Sequence, residues 1–332
     1  MEPKEIIRRT LTFDRPDRVA RSFHESDFVS ARPKITSSST DWEQTGPEEW
    51  RRTDEWGNTW GRIDPTSKGE VVKGVLDDLS DLDTLTLPDF GRLDDYKPVV
   101  EKREAHPDKW LIGGLPGFAF NIARKMRRLE QYLMDLLLER DRISELNDRI
   151  DDLLEQAIRR YAEAGVDSVM FPEDWGTQTG TLIGPELWRE EFYPRFERLC
   201  TVAHECELFV FMHSCGKIGA IVPGLIEAGI DLLQFDQPDL HGIDTLAGHQ
   251  QDDNITFWCP VDIQVTLQTK NRDIIEAKAD EMLAKLWDGL GGFVAGYYGD
   301  NESIGLDPEW QEIACRRFIA RGVTAEFEAA PA

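Results

Sequence analysis

Cysteine is scarce in this chain: five among 332 residues, at Cys200, Cys206, Cys215, Cys259 and Cys315. So few, odd in number and without a spacing pattern, they exclude the disulfide framework of a small secreted module. Long apolar runs are missing too. No stretch approaches the ~18 residues that suggest a membrane span, and the opening Met1-Glu2-Pro3-Lys4-Glu5 has no apolar signal core. The expected location is the cytoplasm. Basic residues are outnumbered, 38 against 63 acidic, for a net charge of −25. A field of that sign repels phosphate backbones and anionic lipid, so neither nucleic acid nor membrane is an expected partner.

What is present is an alternation. From about residue 105, short apolar runs are separated by amphipathic helical stretches. The strand-like runs are Trp110 to Gly114, Val166 to Phe171, Leu208 to Met212, Asp231 to Phe235, Ile255 to Trp258 and Gly292 to Ala295. Helical patterns lie near 129–164, from Pro185, and near 217–228, 271–288 and 307–321. Strands that are apolar throughout, with helices between them, predict a parallel sheet covered on both faces. This many βα units in one chain predicts a single (β/α)8 TIM-type barrel spanning residues 1–332. Residues 30–100 break the pattern, being polar and rich in Trp and Asp, with a hairpin signal at Trp56-Gly57-Asn58-Thr59-Trp60-Gly61. They are expected to form an elaboration at the barrel mouth.

Barrel chemistry sits at the C-terminal ends of strands. Those ends read Glu173-Asp174-Trp175-Gly176-Thr177-Gln178, His213-Ser214-Cys215-Gly216, Phe235-Asp236-Gln237, Trp258-Cys259-Pro260 and Gly296-Tyr297-Tyr298-Gly299-Asp300. His213 and Cys215 leave one strand end a single residue apart. An imidazole nitrogen and a thiolate sulfur suit zinc. Cys259, at a later strand end, is the expected third ligand, with Glu173, Asp174 and Asp300 competing for that place. Glu173 and Asp174 are adjacent, so they cannot both face one site; one is expected to handle a proton or orient substrate. Tyr297 and Tyr298 could donate to an oxyanion or simply pack at the rim.

These segments together resemble the uroporphyrinogen decarboxylase superfamily over nearly the whole chain. Asp14-Arg15-Pro16-Asp17-Arg18-Val19 is similar to its N-terminal Pro-Asp-Arg-Val segment. Residues Glu173 to Gly180 and Ile183-Gly184-Pro185-Glu186 resemble its Asp-Asp-Trp-Gly-Thr-Gln and Ile-Ser-Pro-Glu motifs. His213-Ser214-Cys215-Gly216 matches the His-x-Cys-Gly motif of the cobamide methyltransferase branch, and Phe257 to Gln264 resembles Phe-Trp-Gly-Gly-Ile-Asp-x-Gln. The resemblance implies a zinc-dependent transfer of methyl between a small substrate (methyl ether, methylated compound or thiol) and a corrinoid. That branch takes a further zinc ligand from a late-strand Cys, where this chain has Gly296 to Asp300. No Asp-x-His-x-x-Gly cobalamin motif occurs among the six histidines, so the corrinoid is expected on a partner protein. The arginine-bearing N-terminal motif of the decarboxylase branch is missing.

The expected roles are therefore Glu173, Asp174 and Tyr298 in catalysis, and Trp175, Gln178, Asp236, Tyr297 and Asp300 in substrate binding. His213, Cys215 and Cys259 are expected on the metal, and a homodimer is possible. The alternative is a lyase or small-molecule binding protein on the same fold.

Overall fold

The structure is a computed structural model that describes residues 1–35 and 39–324. An amphipathic helix α1 (Pro3–Leu11) precedes two short strands, β1 (Ala20–Arg21) and β2 (Phe28–Ala31). A four-stranded sheet follows: β3 (Glu43–Gly46), β4 (Glu49–Thr53), β5 (Thr59–Arg62) and β6 (Glu70–Lys73). After α2 (Lys97–Ala105) comes β7 (Trp110–Gly114), then α3 (Ala119–Met126), α4 (Leu129–Leu138) and α5 (Arg140–Glu163). From there strand and helix alternate. β8 (Ser168–Pro172) leads to α6 (Pro185–Glu191) and α7 (Tyr193–Glu205), and β9 (Phe209–His213) to α8 (Val222–Glu227). β10 (Leu232–Gln234) leads to α9 (Ile243–Asp253), and β11 (Thr256–Cys259) to α10 (Arg272–Met282). β12 (Phe293–Ala295) and α11 (Pro308–Arg321) complete the series.

Eight strands pair in parallel in the order β1-β12-β11-β10-β9-β8-β7-β2, the sheet of a (β/α)8 barrel. The seam lies between β1 and β2, and Asp27 bridges it. Its amide donates to the Arg21 carbonyl at 3.0 Å, and its carboxylate accepts the Arg21 amide at 2.9 Å and both guanidinium arms of Arg18. A fully buried carboxylate is tolerated there because every lone pair in use meets a donor.

Side-chain parity divides the core into two layers. Phe28, Trp110, Ile112, Phe211, Leu232 and Val294 point into the barrel, where Ile6, Ile7 and Leu11 of α1 join them. The α1 segment is tied to the strand-start end: Lys4 N donates to Asp108 O, and Gly292 N to Thr10 O. It plugs the barrel floor. The alternate residues, among them Val169, Phe171, Val210, Met212, Leu233, Phe257 and Cys259, face the helices. Among the described residues no helix is long and apolar enough to cross a membrane.

The sheet β3–β6 rests on α3. At Gly74 a Cβ would stand 2.0 Å from the Met126 carbonyl, so only glycine permits this approach. The β4–β5 hairpin turns at 54–58, where buried Asp54 accepts from Trp56 N, Asn58 N, Asn58 Nδ2 and Trp60 Nε1. One face of this sheet is a stack of alternating cations and rings. Arg62 lies 5.3 Å from the Trp50 centroid and 4.3 Å from Trp42, Arg52 lies 5.3 Å from Trp42 and 4.9 Å from Trp60, and Lys125 of α3 ends the row 5.8 Å from Trp60. Each such contact contributes about 0.5–1 kcal/mol. The polar, Trp-rich composition of this region thus builds a sheet held by cation–π contacts more than by an apolar core of its own.

Candidate metal centre at the barrel mouth

His213 is the last residue of β9 and follows Phe209 and Phe211 on the inward parity, which carries its ring to the top of the barrel. Gln234, its register partner on β10, shares that parity. The Gln234 side-chain oxygen Oε1 accepts from His213 Nδ1–H, and Gln234 Nε2 donates to Asp236 Oδ1 at 2.8 Å. A proton held on Nδ1 leaves the Nε2 lone pair free. That lone pair faces the Cys215 sulfur at 3.3 Å and Asp174 Oδ1 at 3.6 Å.

The Asp174 and Cys215 loops are locked by one backbone–backbone and one backbone–side-chain bond. Lys217 N donates to Thr177 O at 2.7 Å, and Cys215 N to Asp174 Oδ1 at 3.2 Å. Gly216 has φ +73°, and a Cβ there would lie 2.5 Å from the Gly176 backbone. Asp174 is steadied from outside by Arg124 of α3, 3.5 Å from Oδ2. Cys215 as a whole residue is exposed, but desolvation of its sulfur among the loop atoms, reinforced by the Asp174 and Asp236 charges, pushes the thiol up to about 12.

Ligand atoms of Asp174, His213 and Cys215 all lie within 4.8 Å of one another. Tetrahedral zinc with bonds of about 2.0–2.3 Å separates its ligands by roughly 3.3–3.6 Å, the spacing seen around His213 Nε2. Nitrogen, sulfur and carboxylate oxygen form a donor set that fits zinc. The Gln234–His213 contact is the outer support that metal-binding histidines require.

Other expected residues fall elsewhere. Cys259 does not converge on this cluster. Trp258 takes the inward parity of β11 and stacks on Phe28 at 4.7 Å, so Cys259 turns outward, fully buried in the strand–helix layer, where burial holds its thiol well above the ordinary range. Glu173 is likewise set back: Oε1 accepts from Phe118 N at 2.6 Å and Asn121 N at 3.0 Å, at the start of α3. Trp175, expected to touch substrate, is fully buried, stacked on Phe120 at 3.9 Å and packed against Trp188 and Phe192. Gln178 stands exposed on the loop after β8.

Asp236 stays near the cluster through Gln234. Tyr297 accepts from Asn301 Nδ2 at 3.2 Å, and Tyr298 is held by its backbone to Gln311. Asp300 pairs with Lys68 at 3.0 Å. Gln234, Arg124 and Lys68 were not expected. Gln234 carried a signal, as a polar residue ending an apolar strand; Arg124 and Lys68 carried none.

The sequence pattern of the uroporphyrinogen decarboxylase family (URO-D) matches residues 63–297, from the second sheet through β12. The chain belongs to that family. Among solved structures, this uroporphyrinogen decarboxylase family member is similar to a methyltransferase from Methanosarcina mazei. The identity is 15%, covering 77% of this chain and 73% of the other, with a TM-score of 0.58. It is also similar to a B12-independent methionine synthase from Shewanella sp. W3-18-1, at 10% identity, covering 99% of this chain and 89% of the other, with a TM-score of 0.51. Likeness at these identities shows a shared fold. Among curated proteins none matches.

Proposed function

We propose that this uroporphyrinogen decarboxylase family protein is a zinc-dependent methyltransferase, moving methyl between a small substrate and a corrinoid carried by a partner protein. The observation that supports the reading is the Asp174–His213–Cys215 cluster with its histidine tautomer set by Gln234. These three side chains would hold the zinc. When bound, zinc would lower the pKa of a substrate thiol or polarise a methoxyl oxygen. The chain's own residues fix the geometry: Gln234 orients the imidazole, Arg124 steadies Asp174, and the Gly176–Gly216 contact holds the two ligand loops together. Asp236 and Asp300 line the mouth as acceptors for substrate hydroxyls or a released proton.

Elemental analysis tests the metal: about one zinc per chain in wild type and in Cys259→Ala, and little in His213→Ala or Cys215→Ser. The reaction is tested by following the corrin spectrum with methylcobalamin and thiols, or with cob(I)alamin and methyl ethers. Zinc without methyl transfer across the panel would turn the assignment to a lyase or binding protein.

A further inference from the structure

Gln234 is the first of two glutamines that the β10 strand end turns toward the metal cluster. Further along the same segment, Gln237 presents its side-chain oxygen Oε1 to the Gly216 amide, which donates at 3.1 Å. Gln237 is only 8% exposed and Gly216 is buried. A buried backbone N–H needs an acceptor, and here a side chain supplies it.

That amide belongs to the peptide unit following Cys215, and the unit is gripped at its other end as well: the Cys215 carbonyl accepts from Ser214 Oγ at 3.2 Å. The preceding unit is held where the Cys215 amide donates to Asp174 Oδ1 at 3.2 Å. Peptide units are planar, so fixing the unit on each side of Cys215 fixes the direction of its Cα–Cβ bond. The sulfur then has a single staggered torsion to choose, and it stands 3.3 Å from His213 Nε2.

Gln237 is itself firmly placed. Leu240 N donates to Gln237 O at 3.1 Å, closing the turn that follows. In that turn Asp239 N donates to the buried Asp262 carboxylate at 3.2 Å, and Asp239 Oδ2 accepts from Thr266 Oγ1 at 3.0 Å. Asp239 also pairs with Lys278 of α10 at 3.3 Å. The segment after β10 is thus tied to the loop after β11 and to α10, none of which carries a ligand of the cluster.

We infer that Gln237 is a positioning residue for Cys215, as Gln234 is for His213, so that one strand end sets both the nitrogen and the sulfur. The inference rests on the zinc reading of the cluster, but the bond to Gly216 exists without metal and is testable without it.

Cys215-Gly216 is the one Cys-Gly pair in the chain, so carbonyl-¹³C cysteine with ¹⁵N-glycine singles out the Gly216 amide. In metal-free protein this amide should exchange slowly with heavy water. Gln237→Leu should speed it by about ten-fold or more, and Gln237→Glu, an acceptor in either protonation state, should restore protection. The Gly292 amide, bonded to Thr10 O at the barrel floor, should not change. The second measurement replaces zinc with cobalt(II), whose sulfur-to-metal charge-transfer band reports the thiolate. Gln237→Leu should bind cobalt about 10- to 100-fold more weakly and with a diminished band per bound ion, and Gln237→Glu should recover both. Leu154→Ala, a cavity in the core beneath α5, controls for lost stability and should keep both. A Gly216 amide that exchanges freely in the wild type, or at one rate in wild type and Gln237→Leu, overturns the inference. Faster exchange with an unchanged cobalt band also overturns it, because the bond would then hold the loop without placing the sulfur. A wild type that takes up neither metal would instead sink the zinc reading, and the exchange rates then decide whether Gln237 sets the Cys215 turn. If Gln237→Leu does not fold, exchange in the wild type decides.

Discussion

Glu173 offers a stringent test of how the mouth is partitioned. Its carboxyl is fully buried, and Oε2 has no hydrogen-bond partner. Burial pushes it up to about 8, against the pull of two α3 amides, Arg124 and Lys125. In the unfolded chain a Glu titrates near 4.3. Between roughly pH 4.5 and 8 the unfolded chain has therefore lost this proton while the folded protein keeps it. Stability due to this group is full below the unfolded pKa and is lost as pH rises through the folded one, by about 1.4 kcal/mol per pH unit. From pH 5 to pH 8 the loss is about 4 kcal/mol.

Glu173→Gln keeps the shape and the Oε1 acceptor but has no proton to lose. Urea unfolding of both proteins at pH 5, 6.5 and 8, followed by tryptophan fluorescence, should show the stability difference shifting toward the variant by about 4 kcal/mol across that range. Taking the difference cancels the other titrating groups. Parallel curves would refute the argument, showing that Glu173 is ionised in the fold. A variant losing ground at pH 8 would show that the start of α3 needs the charge. The variant should also keep its zinc, because Asp174 is the carboxylate beside His213.

Gln234→Leu should cost about 10- to 100-fold in zinc affinity, measured against a chromophoric chelator; unchanged affinity would mean that His213 is oriented by something else. Trp175→Ala should lose about 3–5 kcal/mol in urea unfolding while its folded fraction keeps zinc, since the ring packs in the core. Trp42→Ala removes two cation–π contacts, and an earlier tryptic cut within residues 43–73 is the expected result; an unchanged digestion pattern would show the stack to be dispensable.

The barrel was legible in the sequence because apolar strands and amphipathic helices alternate so regularly. Leu208 to Met212 became Phe209–His213 and Ile255 to Trp258 became Thr256–Cys259, shifts of one residue. β1 and β2 went unread because neither is a continuous apolar run: Arg21 ends the first and Ser30 interrupts the second. The helical pattern near 129–164 proved to be two helices meeting at Glu139. The approach of His213 to Cys215 was legible from their spacing at one strand end, while Asp174 stood only as one of three competing carboxylates with Glu173 and Asp300.

Cys259 shows what was not legible. Parallel strands are apolar on both faces, so nothing in Thr-Phe-Trp-Cys says whether Trp or Cys turns inward. Only the stacking of Trp258 on Phe28, more than two hundred residues away in the chain, decides it. Glu173 and Asp174 posed the same question, answered by the helix start that claims Glu173.

The seam between β1 and β2 bears on how the chain comes to be folded at all. Ala20 pairs with Val294, and Gly292 N donates to Thr10 O, so the floor and closing edge of the barrel join residues far apart in the sequence. Holding those ends together costs about 5 kcal/mol in chain entropy, recovered only when Ile6, Ile7 and Leu11 are covered. During synthesis, then, α1 can meet Phe28, Trp110 and Ile112 early, but its side toward β12 stays uncovered until Gly292 and Val294 have been made. A nascent chain stalled before β12 would be an open sheet with its floor half covered.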